Sequence, residues 1–592
     1  MKSNRVVERQ NRSDTDAEFE KWLNQSTLPQ DLRRELVQIQ GDREKIRHHF
    51  GQSLKFGTGG MRGILGPGPN RMNIYTVRKA TWALGKFLLQ LDSQVKTRGV
   101  AVGYDSRHKS EEFALQVGLT LAALGIKSFV SPYLCPTPEV SFTVRHLQAA
   151  AGVMITASHN PPEYNGYKVY GADGCQFLPD VTEQIRRMMD DVEDIFSIQT
   201  ASLDNSTKNG LLQRTNESVR DTYVRRVVEE LSFSSNSPSN REALHIVYTP
   251  LHGTGNIPVR KALHLAGYKH VDIVTQQAQP DPNFSTVESP NPGSEEALNL
   301  GVDLADQVNA DMVLGTDPDC DRVGIAVRDK ERNFIHLSGN QTGALMADFV
   351  LRRQREEGTL PQNGLLFKTI VTSDLGQAVA QAYDISVENT LTGFKYIGHR
   401  ATEEELTGEH PFIMGYEESY GYLLSDIVRD KDGVQACVVA AEMAAYYKGQ
   451  GLTLGDRLDE LFQQFGTYAE FSYSIPLEAS GAEEQRTQFM DNLRKTPPQV
   501  TGLELLRIED YLHSISRNTE HLSDNAAESQ LSLPKSNVLK YIFKDQSWMA
   551  IRPSGTEPKM KIYLAAHGID KEDTDTKIQN MRQSLAEVPS FG

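Results

Sequence analysis

The sequence is poor in features that indicate a secreted, membrane or nucleic-acid-binding protein. Its 592 residues contain four widely spaced cysteines without CxxC spacing, which argues against a disulfide framework or a zinc site. No apolar run approaches the roughly 18 residues of a membrane span. Acidic residues outnumber basic ones by 78 to 62, so neither nucleic acid nor an anionic membrane is an expected partner.

The composition is that of an ordinary soluble protein, with 39% hydrophobic and 24% charged residues. The N-terminal segment MKSNRVVERQNRSDTDAEF lacks the apolar stretch of a secretory signal, so we expect a cytoplasmic protein. The length predicts about three to five domains. In so acidic a chain, an anionic small substrate would need a locally basic pocket.

The order of apolar segments predicts α/β domains. Residues 14–50 have apolar groups at helical spacing, which predicts one or two amphipathic helices. Short β-rich runs then alternate with Gly, Asp or Ser loops and helical segments, a pattern typical of parallel α/β sheets. In such sheets ligands bind beyond the carboxyl ends of the strands. After about residue 465 the pattern changes to that of a smaller α+β domain with a polar insertion.

A serine follows the apolar segment AAAGVMI, in the run TASHNPPEYNGYKVY. A serine hydroxyl is a weak nucleophile unless a base, a metal or a preformed charge environment activates it. His159 and Lys168 are the neighbouring candidates for activating Ser158. A Ser-His pair alone is more typical of a turn, but Asn-Pro-Pro and Asn-Gly favour a fixed loop that exposes the serine.

Three aspartates at alternate positions follow the segment ADMV, in LGTDPDCDR. Asp317, Asp319 and Asp321 in an extended loop can converge on one hard cation, and without a soft ligand nearby this predicts Mg²⁺. An Asx-rich turn is the structural alternative. Arg322 favours the metal site, because its guanidinium could reach a phosphoryl oxygen held near the metal.

Two further segments contain side chains suited to a sugar phosphate. Glu417 and Ser419 in GYEESYGY offer acceptors for vicinal sugar hydroxyls. Arg552 in RPSGTEPKMKIY can bind a phosphate bidentately, with further donors from a tight glycine loop. The other residues of that loop are Ser554, Gly555, Thr556 and Lys559. Each motif alone is also compatible with solvated residues or a plain turn.

Two more cations lie in glycine-bounded segments. Arg62 lies in FGTGGMRGILG and Lys395 in LTGFKYIG. A single Lys or Arg is usually a surface charge. With the four motifs above, they predict a pocket assembled from loops of several domains.

Taken in order and spacing, TASHNPP, DPDCDR, GYEES and RPSGTEPK resemble the phosphoserine, metal, sugar and phosphate loops of the α-D-phosphohexomutase superfamily. The resemblance extends from about residue 40 to the C-terminus. FGTGGMRG, NRMN, LSGNQTGALMADFVL and LTGFKYIG are most similar to the phosphoglucomutase/phosphopentomutase branch. Pro318 and Cys320 stand where some members have glycine, and Tyr416 and Tyr420 flank the sugar-binding acids.

The resemblance implies an α/β fold with three similar mixed α/β domains and a smaller α+β C-terminal domain around a central cleft. We therefore predict an N-terminal helical extension, followed by domains that carry the phosphoserine, metal, sugar and phosphate loops in turn. The predicted ranges are 1–45, 46–215, 216–330, 331–460 and 461–592. The C-terminal domain is expected to open and close.

The resemblance also implies a role for each residue. Ser158 would carry the phosphoryl group, and a Ser158 phosphate oxygen would join the three aspartates around Mg²⁺. Lys168 and His159 are the predicted proton-transfer residues, Lys168 first, because a desolvated lysine among cations would have a lowered pKa. The remaining roles are cleft lining by Arg62, Arg322 and Lys395, sugar binding by Glu417 and Ser419, and binding of the non-transferring phosphate by Arg552, Ser554 and Thr556, with Gly555 and Lys559 in that loop.

The predicted enzyme is a phosphoglucomutase that interconverts glucose 1-phosphate and glucose 6-phosphate, with glucose 1,6-bisphosphate as bound intermediate and activator. Phosphopentomutase, phosphomannomutase and sugar-bisphosphate synthase are the alternatives within the superfamily. A phosphatase with Asp317 as nucleophile would not need Ser158, and a non-catalytic sugar-phosphate sensor would need neither Ser158 nor three metal carboxylates. Sugar phosphates are the expected partners, and the sequence does not indicate an oligomeric state.

Overall fold

A computed structural model describes residues 14–57, 60–233, 237–477, 482–519, 528–554 and 559–586. The chain forms two compact units. The first contains residues 1–326, 398–406 and 421–445, and the second contains residues 327–397, 407–420 and 446–592. No helix within the described residues is both long and apolar enough to cross a membrane.

The N-terminal segment is helical, as predicted, and belongs to the core of the first unit. Its helices are α1 (14–23), α2 (Gln30–Ile39) and α3 (Arg43–Phe50). Trp22 is fully buried, and its ring lies 5.5 Å from that of Tyr75 and 5.1 Å from that of Phe196. Truncating such a side chain typically costs about 3–5 kcal/mol. These helices therefore help to stabilise the first α/β sheet.

That sheet has six strands in the order β1-β5-β4-β2-β3-β6. Its strands are β1 (Met61–Ile64), β2 (Val100–Tyr104), β3 (Ser128–Val130), β4 (Ala151–Ile155), β5 (Tyr164–Tyr170) and β6 (Leu212–Arg214). Its helices are α4 (Ile74–Leu91), α5 (Val95–Arg98), α6 (Ser110–Ala123), α7 (Thr137–Leu147), α8 (Pro179–Asp190) and α9 (Leu203–Lys208). β2, β3, β4 and β6 run parallel, whereas β5 is antiparallel to both β4 and β1. The sheet is therefore mixed, with a parallel centre.

The NRMN motif has a structural function at the start of α4. The Asn73 side chain accepts hydrogen bonds from the backbone N–H groups of Tyr75 and Thr76 and donates to the carbonyls of Gly66 and Gly68. A cap of this kind is worth about 1 kcal/mol. It also fixes the turn between β1 and α4.

The second sheet of the first unit carries the predicted metal loop, which contains Asp317, Asp319 and Asp321. Within the unit its strand order is β10-β9-β7-β8, with β7 parallel to β8 and β9. These strands are β7 (His245–Thr249), β8 (His270–Ile273), β9 (Met312–Thr316) and β10 (Val323–Arg328), whose last two residues enter the second unit. The helices are α10 (Glu217–Leu231), α11 (Pro238–Ala243), α12 (Asn256–Leu265), α13 (Thr275–Ala278) and α14 (Glu295–Val308).

The second unit contains a third parallel sheet with the strand order β13-β12-β14. The strands between residues 334 and 423 are β11 (Phe334–Leu337), β12 (Leu365–Thr369), β13 (Ser386–Thr390), β14 (Phe412–Glu417) and β15 (Gly421–Leu423). β15 belongs to the first unit. The helices are α15 (Gly339–Glu356), α16 (Leu375–Ala382), α17 (Phe394–Thr407), α18 (Gly433–Lys448) and α19 (Leu454–Phe465). α17 and α18 each contribute residues to both units.

The C-terminal part is a seven-stranded antiparallel sheet with the order β16-β22-β21-β20-β17-β18-β19. Its strands are β16 (Thr467–Pro476), β17 (Leu505–Asp510), β18 (Ile515–Asn518), β19 (Glu528–Gln530), β20 (Leu539–Phe543), β21 (Trp548–Pro553) and β22 (Lys559–Gly568), and its helices are α20 (Ala482–Lys495) and α21 (Lys571–Ala586). β18 and β19 lie largely within the predicted polar insertion, so parts of it are strands. Residues 520–527 lie outside the described residues.

The predicted fold class is confirmed: three α/β sheets precede a β-rich C-terminal part. All four cysteines are buried free thiols. The predicted domain boundaries and the central cleft remain predictions.

Candidate active site

Ser158 lies just beyond the carboxyl end of β4, as predicted. Its Oγ donates a hydrogen bond to Asp317 Oδ2 at 2.7 Å and lies 3.1 Å from His159 Nδ1. Its φ is +53°, in the left-handed region, and its N–H donates to Thr156 Oγ1 at 2.8 Å. A strained residue persists when its surroundings hold it in place. The loop thus presents a buried hydroxyl, 3% exposed, to a carboxylate and an imidazole.

The three aspartates converge, as predicted. Asp317, Asp319 and Asp321 each offer a carboxylate oxygen within 4.8 Å of the others, and all three are buried. Asp319 Oδ2 accepts hydrogen bonds from Thr137 Oγ1 and Lys168 Nζ, both at 2.7 Å. The loop therefore gathers three carboxylates where water is largely excluded.

These carboxylates fit a hard cation. Oδ1 of Asp319 and Oδ1 of Asp321 are buried and have no hydrogen-bond partner among the described residues. Buried carboxylate oxygens of this kind need a cation or a donor, and an all-oxygen set suits Mg²⁺. Burial and the charges of the other two aspartates raise the pKa of Asp317 well above its usual range. A divalent ion would relieve that repulsion.

The pKa of Lys168 differs from the predicted one. Its Nζ lies 2.7 Å from Asp319 Oδ2 and 3.0 Å from Asp321 Oδ2. Burial alone would lower the pKa of Lys168, but the two carboxylates outweigh burial and raise it. The predicted lowering of this pKa among cations is therefore wrong for this arrangement, because the nearest charged groups are anions.

Lys431 is a cation of this site that sequence reasoning missed. Its Nζ lies 3.2 Å from Asp321 Oδ2 and 3.4 Å from Asp430 Oδ1. It is 9% exposed. The charged run VRDKDG ending in glycine was a usable signal, but it lies more than one hundred residues after the metal loop.

His159 lies in a cationic environment. Burial, followed by the charges of Arg322 and Arg62, lowers the pKa of His159 well below its usual range. The imidazole is therefore neutral at physiological pH. Arg62 lies in strand β1, not in a loop, and its Nη1 donates to Asn160 Oδ1 at 2.7 Å. The backbone N–H of Arg322 donates to Asp317 Oδ1 at 3.0 Å.

Two departures from the family pattern have structural explanations. Cys320 has a φ of +54°, which is the conformation that glycine adopts most readily. Tyr416 is fully buried in the second unit, so its side chain packs in the core of that unit. Tyr420 has a φ of +68°.

The predicted sugar loop of the second unit follows β14. Glu417 is the last residue of that strand, and its Oε1 accepts a hydrogen bond from Ser419 Oγ at 2.8 Å. The neighbouring Glu418 accepts from the hydroxyls of Thr369 and Thr372, each at 3.2 Å. Glu417 and Ser419 thus point to one another, while Glu418 fixes the loop to the end of β12.

The phosphate loop joins β21 and β22. Arg552 lies within β21, and its Nη2 donates to Tyr563 Oη at 3.3 Å. The N–H of Ser554 donates to the carbonyl of Lys559 at 2.8 Å. Lys559 begins β22, so strand residues bracket this loop. Gly555 and Thr556 lie outside the described residues.

Lys395 also differs from the predicted loop position. It lies in the first turn of α17, and its Nζ is 5.4 Å from the ring centroid of Tyr396. The first unit thus brings together Arg62, Ser158, His159, Lys168, Asp317, Asp319, Asp321 and Arg322, and the second unit contains Lys395, Glu417, Ser419, Arg552, Ser554 and Lys559.

Three successive α/β sheets and a buried serine beside three converging aspartates characterise this chain. Three family models match the chain: phosphoglucomutase/phosphomannomutase alpha/beta/alpha domain I over residues 53–195, domain II over 221–330 and domain III over 338–465. The chain belongs to the phosphoglucomutase/phosphomannomutase family. It is a mutase, an enzyme of the isomerase class.

Curated relatives share most of their length with this chain. A phosphoglucomutase from Staphylococcus epidermidis is 38% identical over 523 residues, which are 88% of this chain and 92% of the relative. A phosphoglucomutase from Staphylococcus aureus is 35% identical over 95% of this chain and 98% of its own length.

Solved structures confirm the fold alone. Parafusin, a phosphoglucomutase from Paramecium in an open form, superposes with a TM-score of 0.64 at 17% identity over 91% of this chain and 96% of its own. A phosphoglucomutase/phosphomannomutase family protein from Burkholderia thailandensis gives a TM-score of 0.64 at 18% identity over 90% of this chain and 97% of its own.

Proposed function

We propose that this chain is a phosphoglucomutase that interconverts glucose 1-phosphate and glucose 6-phosphate through a phosphoserine at Ser158 and bound glucose 1,6-bisphosphate. The observation that carries the proposal is the 2.7 Å hydrogen bond from Ser158 Oγ to Asp317 within the buried aspartate triad. The curated phosphoglucomutases support glucose over mannose or pentose phosphates. A cytoplasmic location is part of the proposal.

Asp317, Asp319, Asp321 and a phosphate oxygen on Ser158 would hold Mg²⁺, which would neutralise charge on the transferring phosphoryl group. The bond between Ser158 Oγ and phosphorus breaks as the free sugar hydroxyl bonds to phosphorus. That hydroxyl's proton passes to the neutral imidazole of His159, and the Lys168 ammonium gives a proton to the departing Ser158 Oγ. In the return step Ser158 Oγ gives this proton back to Lys168 as it bonds to the other phosphoryl group of the bisphosphate, and His159 returns its proton to the released sugar oxygen. Enzyme and metal end as they began.

Most of the rate enhancement would come from positioning and charge stabilisation. Arg62, Arg322 and Lys395 supply positive charge for the phosphoryl oxygens. Glu417 accepts hydrogen bonds from sugar hydroxyls, and the Ser419 hydroxyl can accept or donate them. The non-transferring phosphate is bound by Arg552, Ser554 and Thr556, with Gly555 and Lys559 in the same loop.

The decisive variant is Ser158→Ala. Intact-protein mass of the wild type treated with glucose 1,6-bisphosphate should show one added phosphate of about 80 Da, and the variant should lack both the phosphate and mutase turnover. Ser206→Ala is the matched control, because Ser206 is a buried serine in α9 that bonds to the carbonyl of Ser202. Turnover that survives in Ser158→Ala would refute the phosphoserine.

The substrate is tested with a panel of glucose, mannose and pentose 1-phosphates, assayed with Mg²⁺ and catalytic bisphosphate. Glucose 1-phosphate should give the highest kcat/KM. Release of bulk phosphate would indicate a phosphatase, and binding without turnover would indicate a sensor.

A further inference from the structure

Arg107 donates hydrogen bonds to backbone carbonyls of the loop that contains Ser158. Its Nη1 donates to the carbonyls of Pro161 at 2.8 Å and Tyr164 at 3.1 Å. Its Nη2 donates to the carbonyl of Ser158 at 2.6 Å and to that of Asn160. One buried guanidinium therefore satisfies four carbonyls of the loop that carries the reactive serine.

The same guanidinium contacts a loop of the second sheet. Its Cζ lies 4.9 Å from the ring centroid of Phe284, which is 1% exposed and has a φ of +49°. The adjacent Asn283 Oδ1 lies 2.8 Å from His108 Nε2. Asp105 Oδ2 lies 3.4 Å from Arg107 Nε. Arg107 thus joins the loop of Ser158 to the loop of Phe284.

The loop of Phe284 is in turn joined to the metal loop. His252 Nε2 lies 2.8 Å from Thr286 Oγ1, and the N–H of Thr254 donates to the carbonyl of Pro318 at 2.9 Å. A Cβ on Gly253 would lie 2.5 Å from Pro318 Cα, so the two backbones are in close contact. A continuous path of contacts therefore runs from Ser158 to the residue between Asp317 and Asp319.

We infer that Arg107 is a positioning residue, which together with Phe284 forms a brace that sets the separation of the Ser158 hydroxyl and the metal-binding aspartates. The catalytic consequence rests on the proposed function. Group transfer is sensitive to such separations, since a misplacement of about 1 Å can cost about 100-fold in rate. Lysine cannot replace Arg107 in this brace, because it lacks the planar guanidinium group that donates to several carbonyls and stacks on an aromatic ring.

The first test is Arg107→Lys, which keeps the charge opposite Asp105 and so limits the risk of misfolding. We expect kcat to fall about 30- to 100-fold with KM changed less than about 3-fold, because the defect lies in alignment and not in sugar binding. Phosphorylation of Ser158 by glucose 1,6-bisphosphate should slow by a similar factor. Phe284→Leu keeps apolar volume, removes the ring face, and should lower kcat about 3- to 10-fold.

Arg98→Lys is the matched control. Arg98 donates to the carbonyls of Gln148 and Ala149 and pairs with Asp92 at 2.9 Å, so it loses the same kinds of contact away from Ser158. Its kcat should remain within about 2-fold of the wild type.

Amide hydrogen exchange over residues 156–166 tests the brace without relying on activity. Exchange there should accelerate about 10-fold in Arg107→Lys and remain unchanged in Arg98→Lys. If kcat, phosphorylation and exchange in both Arg107→Lys and Phe284→Leu match the wild type, the brace is refuted. Turnover in Ser158→Ala would instead refute the proposed function, and the exchange result would still decide the brace.

Discussion

The two units arrange charge differently around their candidate binding groups. In the first unit, Lys168 and Lys431 lie 2.7–3.2 Å from carboxylate oxygens of two of the three buried aspartates, Asp319 and Asp321. In the second, Glu417 shares a hydrogen bond with the Ser419 hydroxyl, and Arg552 contacts the Tyr563 hydroxyl. The first site balances full charges, whereas the second places hydroxyl partners beside its charged groups.

This difference has an energetic consequence. Removing one member of a buried charge cluster leaves the others uncompensated, which is strongly unfavourable. Removing one partner of a hydroxyl–carboxylate hydrogen bond costs less. Substitutions within the charge cluster of Ser158 and the three aspartates should therefore affect turnover, and substitutions at Glu417 should affect substrate affinity.

The largest expected effect is that of Asp317→Asn. We expect kcat to fall about 10³-fold or more, since the cation site loses a charge and the acceptor of the Ser158 hydroxyl loses its negative charge. Calorimetric titration should show weaker Mg²⁺ binding. The control is Glu442→Gln, because Glu442 is a buried carboxylate that accepts from Arg241 and Tyr268. A variant that keeps a tenth of wild-type turnover would contradict the comparison.

Lys168→Met should lower kcat about 100-fold. It should also tighten Mg²⁺ binding, because the competing ammonium beside Asp319 and Asp321 is gone. Lys109→Met is the control, since Lys109 also bridges two carboxylates, Asp31 and Glu112, but at the surface. Weaker Mg²⁺ binding in Lys168→Met would show that the lysine supports the cation site and does not compete with it.

Glu417→Gln tests the second unit. We expect KM for glucose 1-phosphate to rise about 10-fold with kcat within about 3-fold, since a bond to a sugar hydroxyl is weakened. The control is Glu418→Gln, whose carboxylate is committed to Thr369 and Thr372. A loss of kcat in Glu417→Gln as large as that in Asp317→Asn would contradict the expected difference between the two sites.

The smallest effect concerns stability. Asp432 is buried in the first unit, and its Oδ1 accepts from the Tyr223 hydroxyl and two backbone N–H groups. Burial raises the pKa of Asp432 to about 6. The native state then binds more protons than the unfolded state between about pH 4 and 6, so this group's contribution to stability is lost as pH rises through 6.

Asp432→Asn removes that dependence and keeps an oxygen at the acceptor position. The thermal midpoint of the variant relative to the wild type should rise between pH 4.5 and 7, corresponding to at most about 3 kcal/mol. The surface variant Asp204→Asn should show no such trend. If the difference in thermal midpoint between variant and wild type stays constant across this pH range, the Tyr223 hydroxyl and the two backbone N–H groups already compensate the buried charge of Asp432.

Much of the fold was predictable because strand and helix signals are local. The apolar runs before Ser158 and Asp317 are strands β4 and β9, and the helical spacing of residues 14–50 is that of α1 to α3. Arg62 and Lys395 were misplaced in loops, since short glycine-bounded segments do not show whether a strand or a helix begins within them.

The candidate site was predictable where its residues share one motif. Asp317, Asp319 and Asp321 converge because one short loop, closed by a turn in which Cys320 N–H donates to the Asp317 carbonyl, carries all three. The extended loop conformation predicted from the sequence is wrong. Lys431 and Arg107 were missed because each acts on a loop distant in sequence.

The serine, the three aspartates and the strand ends that present them could be identified from the order of residues, because spacing and residue chemistry are local properties. Tertiary structure alone decided that Lys168 faces carboxylates and that its pKa is therefore raised. It also decided that Arg107 and Phe284 join two loops. Burial and contacts between residues that are far apart in the sequence cause both outcomes, and neither can be predicted from local sequence.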